Sequence, residues 1–137
     1  MKVQKNFLQG SWVALVTPFS RGKLDRRALK SLLDFHRKAQ TDVLVISGTT
    51  GESATLTSAE KQEIMEVAAD HLAGSIPLVL GTGSNNTTEA VEKTSHAKQW
   101  GASGVLIVTP YYNKPTQAGL VAHFKEVAAA TTLPVVL

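Results

Sequence analysis

The chain predicts an α/β fold on a parallel sheet, and three observations predict it. Short apolar runs begin near Val13, Val43, Leu78, Val105 and Val135, at spacings of 27 to 35 residues. Each interval carries a helix-period apolar stripe with its own start signal, the alternation expected of βα units with right-handed crossovers. No linker or low-complexity stretch interrupts the series. Four βα units followed by the start of a fifth strand, Pro134-Val135-Val136-Leu137, read as the N-terminal half of an eight-stranded βα barrel, a single partial domain over residues 1–137. A whole barrel needs about 250 residues. A five-stranded doubly wound sheet competes; it would need helices on both faces and a topological switch point, and periodicity does not separate the two.

The elements follow in order. Val43-Leu44-Val45-Ile46 is apolar without a charge, as a strand buried on both faces is. Asp25 caps a helix whose Leu29, Leu32, Leu33 and His36 share one face. Thr57 with Glu60 forms a capping box ahead of Ile64, Val67, Ala68 and Leu72. Asn86 with Glu89 is expected to do similar work before Ala90, Val91, Thr94 and Ala97, and Thr116 starts a fourth helix through Leu120, Phe124, Val127 and Ala128. Gly74, Gly101 and Gly104 fall at helix ends or in loops leading into strands, and Pro77 and Pro134 open strands.

The totals are those of an ordinary globular chain: 137 residues, 43% hydrophobic, 18% charged and a formal charge of +3. The positive excess is too small and scattered for a nucleic-acid partner. The absence of cysteine removes disulfides and thiolate metal sites. His36, His71, His96 and His123 each fall in a separate helical segment, so helix-face roles are expected and no metal. Met1 to Gly10 holds two lysines with no long apolar stretch behind them, and Trp12 to Val16 is too short for a membrane span. The expectation is a soluble, cytoplasmic protein.

Glycines, hydroxyls and amides gather after each strand: Thr17-Pro18-Phe19, Gly48-Thr49-Thr50-Gly51-Glu52, Gly81-Thr82-Gly83-Ser84-Asn85-Asn86 and Thr109-Pro110-Tyr111-Tyr112-Asn113-Lys114-Pro115. In parallel α/β folds the chemistry sits beyond those strand ends. A glycine on each side of Thr49-Thr50 allows unusual backbone angles, so several amides can turn toward one carboxylate. The same segment reads equally as a tight strand-to-helix turn with solvent-facing threonines. Gly81-Thr82-Gly83 lacks the third glycine of a dinucleotide fingerprint, since position 86 is Asn, and no acidic residue ends the next strand; no nicotinamide site and no cofactor are expected. The paired tyrosines offer a phenol that can relay a proton when a second hydroxyl such as Thr49 holds it in line, or aromatic packing at an interface. A Schiff-base amine needs a depressed pKa, hence an inward strand position. None of the lysines (Lys2, Lys5, Lys23, Lys30, Lys38, Lys61, Lys93, Lys98, Lys114, Lys125) lies in a strand run, and only Lys114 lies on the rim, in a loop expected to be wet. The rim can bind a keto acid and move protons, but it lacks a convincing nucleophile.

Gly48-Thr49-Thr50-Gly51-Glu52-Ser53-Ala54-Thr55-Leu56, Gly81-Thr82-Gly83-Ser84-Asn85 and Thr109-Pro110-Tyr111-Tyr112-Asn113-Lys114-Pro115 together resemble the dihydrodipicolinate synthase family, of the pyruvate-dependent class I aldolase superfamily. The likeness runs from Gly10-Ser11 to the last residue. It implies the N-terminal half of a (β/α)8 TIM barrel and condensation of pyruvate with aspartate semialdehyde through a lysine imine, in lysine and diaminopimelate biosynthesis. By that resemblance Thr50, with Gly48, Gly51 and the loop amides, binds the pyruvate carboxylate. Thr49 joins a hydroxyl relay with Tyr112, which reaches into a neighbouring subunit, so a homo-oligomer is implied, a tetramer of tight dimers. Ser53, Ala54, Asn85, Glu89 and Tyr111 match the family's allosteric lysine pocket. Ser58 and Lys61 stand where lysine-inhibited members tend to have histidines; a cation at position 61 repels the ammonium of lysine, so feedback inhibition is not expected. The family's Schiff-base lysine, second relay tyrosine and substrate-binding arginine all come after position 137, which implies a truncated chain without synthase activity of its own. A sugar-acid lyase of the same superfamily, or a non-catalytic half-barrel interaction module, are the alternatives.

Overall fold

In the computed structural model, residues 9–137 are described; the N-terminal tail with Lys2 and Lys5 lies outside them. The parallel sheet contains β1 (Trp12–Ala14), β4 (Val43–Ile46), β5 (Leu78–Gly81), β6 (Gly104–Leu106) and β7 (Val135–Val136). β2 (Phe19–Ser20) and β3 (Lys23–Leu24) form a separate antiparallel hairpin. Helices α1 (Arg26–Lys38), α2 (Ser58–Leu72), α3 (Thr87–His96) and α4 (Gln117–Ala129) fill the four intervals, and a short 3-10 turn spans Ser53–Thr55.

The sheet order is β1-β4-β5-β6-β7, every neighbour parallel and every neighbour the next sheet strand along the chain. A doubly wound sheet reverses its strand order at a switch point. Here there is none, so the progression is that of a barrel wall. The two faces of the sheet carry separate cores. Leu44, Ile46, Leu78, Leu80, Val105 and Ile107 pack with Leu29, Leu33, Ile64, Met65 and Ala68 of the helices, while Val43, Val45 and Val79 form a second cluster flanked by Trp12 and Leu106. Strand alternation produces this division: odd and even positions of β4 face opposite sides, and all four are buried.

Caps follow the expected chemistry at three of four helices. The side chain of Asp25 accepts from the Ala28 amide, Thr57 and Glu60 complete a reciprocal box, and Thr116 accepts from Gly119. At α3 only half of the expected box forms. Asn86 accepts from Thr88 and Glu89, but the Glu89 carboxylate turns away to Ser84 and Lys93. The capping motif loses there to a charged partner that outbids a lone backbone amide. Gly74 and Gly101 sit at φ +81° and +96°, as chain reversals after α2 and α3 require, whereas Gly104 belongs to β6 itself.

The hairpin was not anticipated. Arg21 and Gly22 both adopt positive φ, 52° and 73°, the geometry that tight two-residue hairpin turns need. It also corrects the placement of Lys23, which lies in a strand, though an exposed one outside the parallel sheet. Among the described residues no helix is long and apolar enough to cross a membrane.

Candidate active-site rim and an adjoining cavity

The rim begins where β4 ends. Ser47 is 1% exposed, adopts φ 53°, and holds its hydroxyl in the interior without a hydrogen-bond partner. The next residues coil into a closed turn: the amides of Gly51 and Ser53 donate to the Gly48 carbonyl at 3.1 and 3.2 Å, and Glu52 donates to Thr49 at 3.0 Å. This corrects the role expected of the glycines. Neither Gly48 nor Gly51 has positive φ; the left-handed positions are Ser47 and Glu52, the latter at 60°. Gly51 is required by closeness instead, since a Cβ there would stand 3.0 Å from the Leu15 carbonyl oxygen. Gly81 is tighter still, because its Cβ would collide with the carbonyl of Ser47. The Thr17 hydroxyl, buried, clasps the turn from the first strand's loop by donating to the Gly51 carbonyl at 2.7 Å. The bonds within the turn consume three amides, leaving those of Thr49 and Thr50 outside that network and both threonines exposed.

Beside this turn lies a cavity of about 480 Å³ lined by Gly48, Thr49, Gly81, Leu106, Val108 and Tyr111, among others. Thr50 and Gly51 do not line it. Tyr111, 47% exposed, faces the cavity, but Tyr112 is 94% exposed at φ 71°. Within one chain, then, no hydrogen bond links Thr49 to Tyr112. The loop is anchored by Asn113, whose Nδ2 donates to the Asn85 carbonyl at 3.0 Å.

A second cavity, about 390 Å³, lies on the helix side and shares Ser53, Ala54, Gly83 and Tyr111 with the first. Ser58, Lys61 and Glu89 also line it, so six of the seven residues grouped by resemblance surround one space; Asn85 does not. Leu56, Thr57, Glu92 and Lys93 complete the wall. Lys93 Nζ pairs with Glu89 Oε2 at 3.0 Å, and Ser84 donates to the same oxygen. These two hydrogen bonds, Lys93 first, hold Glu89 below the usual carboxylate range.

Lys61 is the clearest departure from expectation. Read as a helix residue with polar neighbours, it is 4% exposed. Burial, then the repulsion of Lys93, pull its pKa down to about 8 against the weaker attraction of Glu89. A sequence signal for this existed. Lys61 stands three, four, seven and eleven residues before Ile64, Met65, Ala68 and Leu72, on the buried stripe of α2. The burial of Ser47 has no comparable signal.

A turn of hydroxyls and free amides at a strand end on a barrel wall lies where parallel α/β folds gather their functional residues. A profile of the dihydrodipicolinate synthetase family matches residues 7–137, and the chain belongs to that family. It is 51% identical over 129 residues to the 4-hydroxy-tetrahydrodipicolinate synthase of Aquifex aeolicus, 94% of this chain and 44% of the relative. The chain thus spans less than half the length of the curated relatives it matches. The crystal structure of dihydrodipicolinate synthase from Aquifex aeolicus superposes with a TM-score of 0.90 at 52% identity, over 93% of this chain and 43% of that one. The synthase of Cyanidioschyzon merolae with lysine bound gives 0.91 at 41% identity, over 96% and 45%. A structure described as a monomeric dihydrodipicolinate synthase variant gives 0.90 at 37%, over 95% and 44%. The fold is therefore the N-terminal part of a (β/α)8 barrel.

Proposed function

We propose that this chain supplies the keto-acid-binding half of a synthase that condenses pyruvate with aspartate semialdehyde through a lysine imine. The observation that carries the reading is the closed turn Gly48–Gly51 at the end of β4, which leaves the amides of Thr49 and Thr50 outside its own bonds, with Thr49 lining an open cavity and Thr50 exposed next to it in the chain. Thr50 and the free amides hold the pyruvate carboxylate, with Gly48 and Gly51 shaping the turn. Hydrogen bonds from several neutral donors to one carboxylate are charge-assisted and strong enough to orient a small acid.

Thr49 passes protons through Tyr112 of a second copy. The exposure of Tyr112 on a left-handed backbone supports this, because a phenol aimed out of its own chain serves a neighbour and makes a homo-oligomer part of the mechanism. Such backbone strain in a bulky residue costs about 1 kcal/mol or more and persists where surroundings hold it.

No lysine of the described residues lies in the five-stranded sheet, and the lysine whose pKa is lowered, Lys61, faces the helix-side cavity, so residues 1–137 alone are expected to turn nothing over. The lysine-pocket residues serve regulation in this reading, with feedback by lysine weakened by the cation at Lys61. The test is a chimera joining this chain to the portion of the Aquifex aeolicus relative beyond its aligned region. It is expected to condense both substrates and to be inactivated by borohydride only when pyruvate is present. Thr49→Val should lower kcat by about 10²-fold, and Thr50→Val should act mainly on KM for pyruvate. A chimera whose activity ignores both substitutions would overturn the proposal.

A further inference from the structure

Ser47 carries two costs at once. It is a non-glycine residue held at φ 53°, and its hydroxyl is buried without a hydrogen-bond partner among the described residues. Its backbone is wedged between two glycines: a Cβ on Gly51 would stand 3.2 Å from the Ser47 amide nitrogen, and one on Gly81 would strike the Ser47 carbonyl. A glycine at position 47 would remove both costs, and the fold gives the hydroxyl no task of its own.

The direction of Ser47 follows from the strand. Val43 and Val45 turn into the cluster they form with Val79, and Ser47, two residues further on, continues that alternation past the end of β4. It lines the rim cavity with Gly48, Thr49, Leu106 and Val108. Of the other hydroxyl residues in that lining, Thr49, Thr55 and Tyr111 are exposed and Ser53 is half-buried. Ser47 is the buried donor of the wall.

We infer that the Ser47 hydroxyl donates to the C2 oxygen of a bound 2-keto acid and so selects that acid over the same acid without its ketone. The inference rests on the reading of the rim as a keto-acid site, in which the Thr49 and Thr50 amides and the Thr50 hydroxyl take the carboxylate. A ketone oxygen only accepts. Placed in a cavity walled by glycines, Leu106 and Val108, it needs a donor there to replace water. A hydrogen bond at that oxygen also draws electrons from C2, the atom that an amine attacks.

Propionate, which has a methylene where pyruvate has its ketone, isolates this contact. NMR titrations of the chain, followed at the Thr49 and Thr50 amides, are expected to show pyruvate binding more tightly than propionate. Ser47→Ala and Ser47→Gly should each raise the Kd of pyruvate about fivefold, the scale of one neutral hydrogen bond, and leave that of propionate unchanged, whereas Thr50→Val should abolish the shifts of both. A hydroxyl kept for the fold would behave differently: the urea midpoint without ligand would fall in both Ser47 variants, and here it should hold in Ser47→Ala and rise in Ser47→Gly, which suits the left-handed backbone. Pyruvate binding with the same pyruvate-to-propionate ratio in wild type and Ser47 variants, or a midpoint that falls in both variants, would overturn this inference alone. Thr49 and Thr50 amides that respond to neither acid in the wild type would overturn the reading of the rim, and the inference with it.

Discussion

The two cavities share a wall of four residues and differ in almost everything else. The rim cavity is bounded by backbone and neutral side chains, with Glu52 as the charged residue of its lining, and its form depends on strands approaching too closely for a Cβ. The helix-side cavity is bounded by side chains of α2 and α3, and two lysines and two glutamates decide its character. The contrast teaches that a strand-end site is made by backbone geometry, whereas a site between helices is made by which charges the stripes leave facing one another. Steric substitutions should therefore break the first, and charge substitutions should retune the second.

The largest effect is expected at Gly81. A side chain there strikes the Ser47 carbonyl, backbone that cannot swing aside, so Gly81→Val should cost about 3 kcal/mol or more in urea unfolding followed by circular dichroism. Gly48→Ala sharpens the comparison, because its nearest neighbour, Val45 Cγ1, stands at ordinary contact distance, 3.5 Å; the loss should stay under about 1 kcal/mol.

Next comes Lys61→Met, which keeps the shape of the α2 stripe and removes a buried charge. It should stabilise the chain by about 1–2 kcal/mol at pH 7. The sign of its pH dependence follows from the lowered pKa: the unfolded chain keeps this proton to about 10.5 and the folded chain releases it near 8. Unfolding takes up a proton between those values, so wild-type stability rises with pH there. The advantage of Lys61→Met is full below pH 8 and fades toward 10.5, which paired melts across that range would show.

Thr57→Ala removes the cap of α2 at the edge of the second cavity and should cost about 1 kcal/mol in the same urea measurement. The smallest change is Arg26→Ala. Its 2.7 Å pair with Glu63 is solvent-exposed, and its loss should fall within about 0.5 kcal/mol, vanishing in high salt.

Much of the fold was legible because period and punctuation agree. Apolar runs at regular spacing marked the five sheet strands, and Asp25, Thr57, Asn86 and Thr116 each marked a helix start. The order of the strands was not legible, since barrel and doubly wound sheets repeat the same local unit. The hairpin at Arg21-Gly22 was missed because its strands are two residues each, too short for any periodicity. At the site, the hydroxyl-rich turns were legible as composition, but the glycines were assigned the wrong task. Whether a glycine serves angle or closeness depends on a segment far away in sequence, as Gly51 against Leu15, just past β1, shows. Lys61 was misjudged by its charge although its position on the α2 stripe declared it buried.

The central claim is that the turn after β4 is a keto-acid carboxylate site. Mapping pyruvate onto the backbone amides of this chain by NMR tests it most directly. Saturable shifts at Thr49 and Thr50 that disappear in Thr50→Val are expected. Shifts confined to α2 and α3, with the Thr49 and Thr50 amides unmoved at saturation, would contradict it.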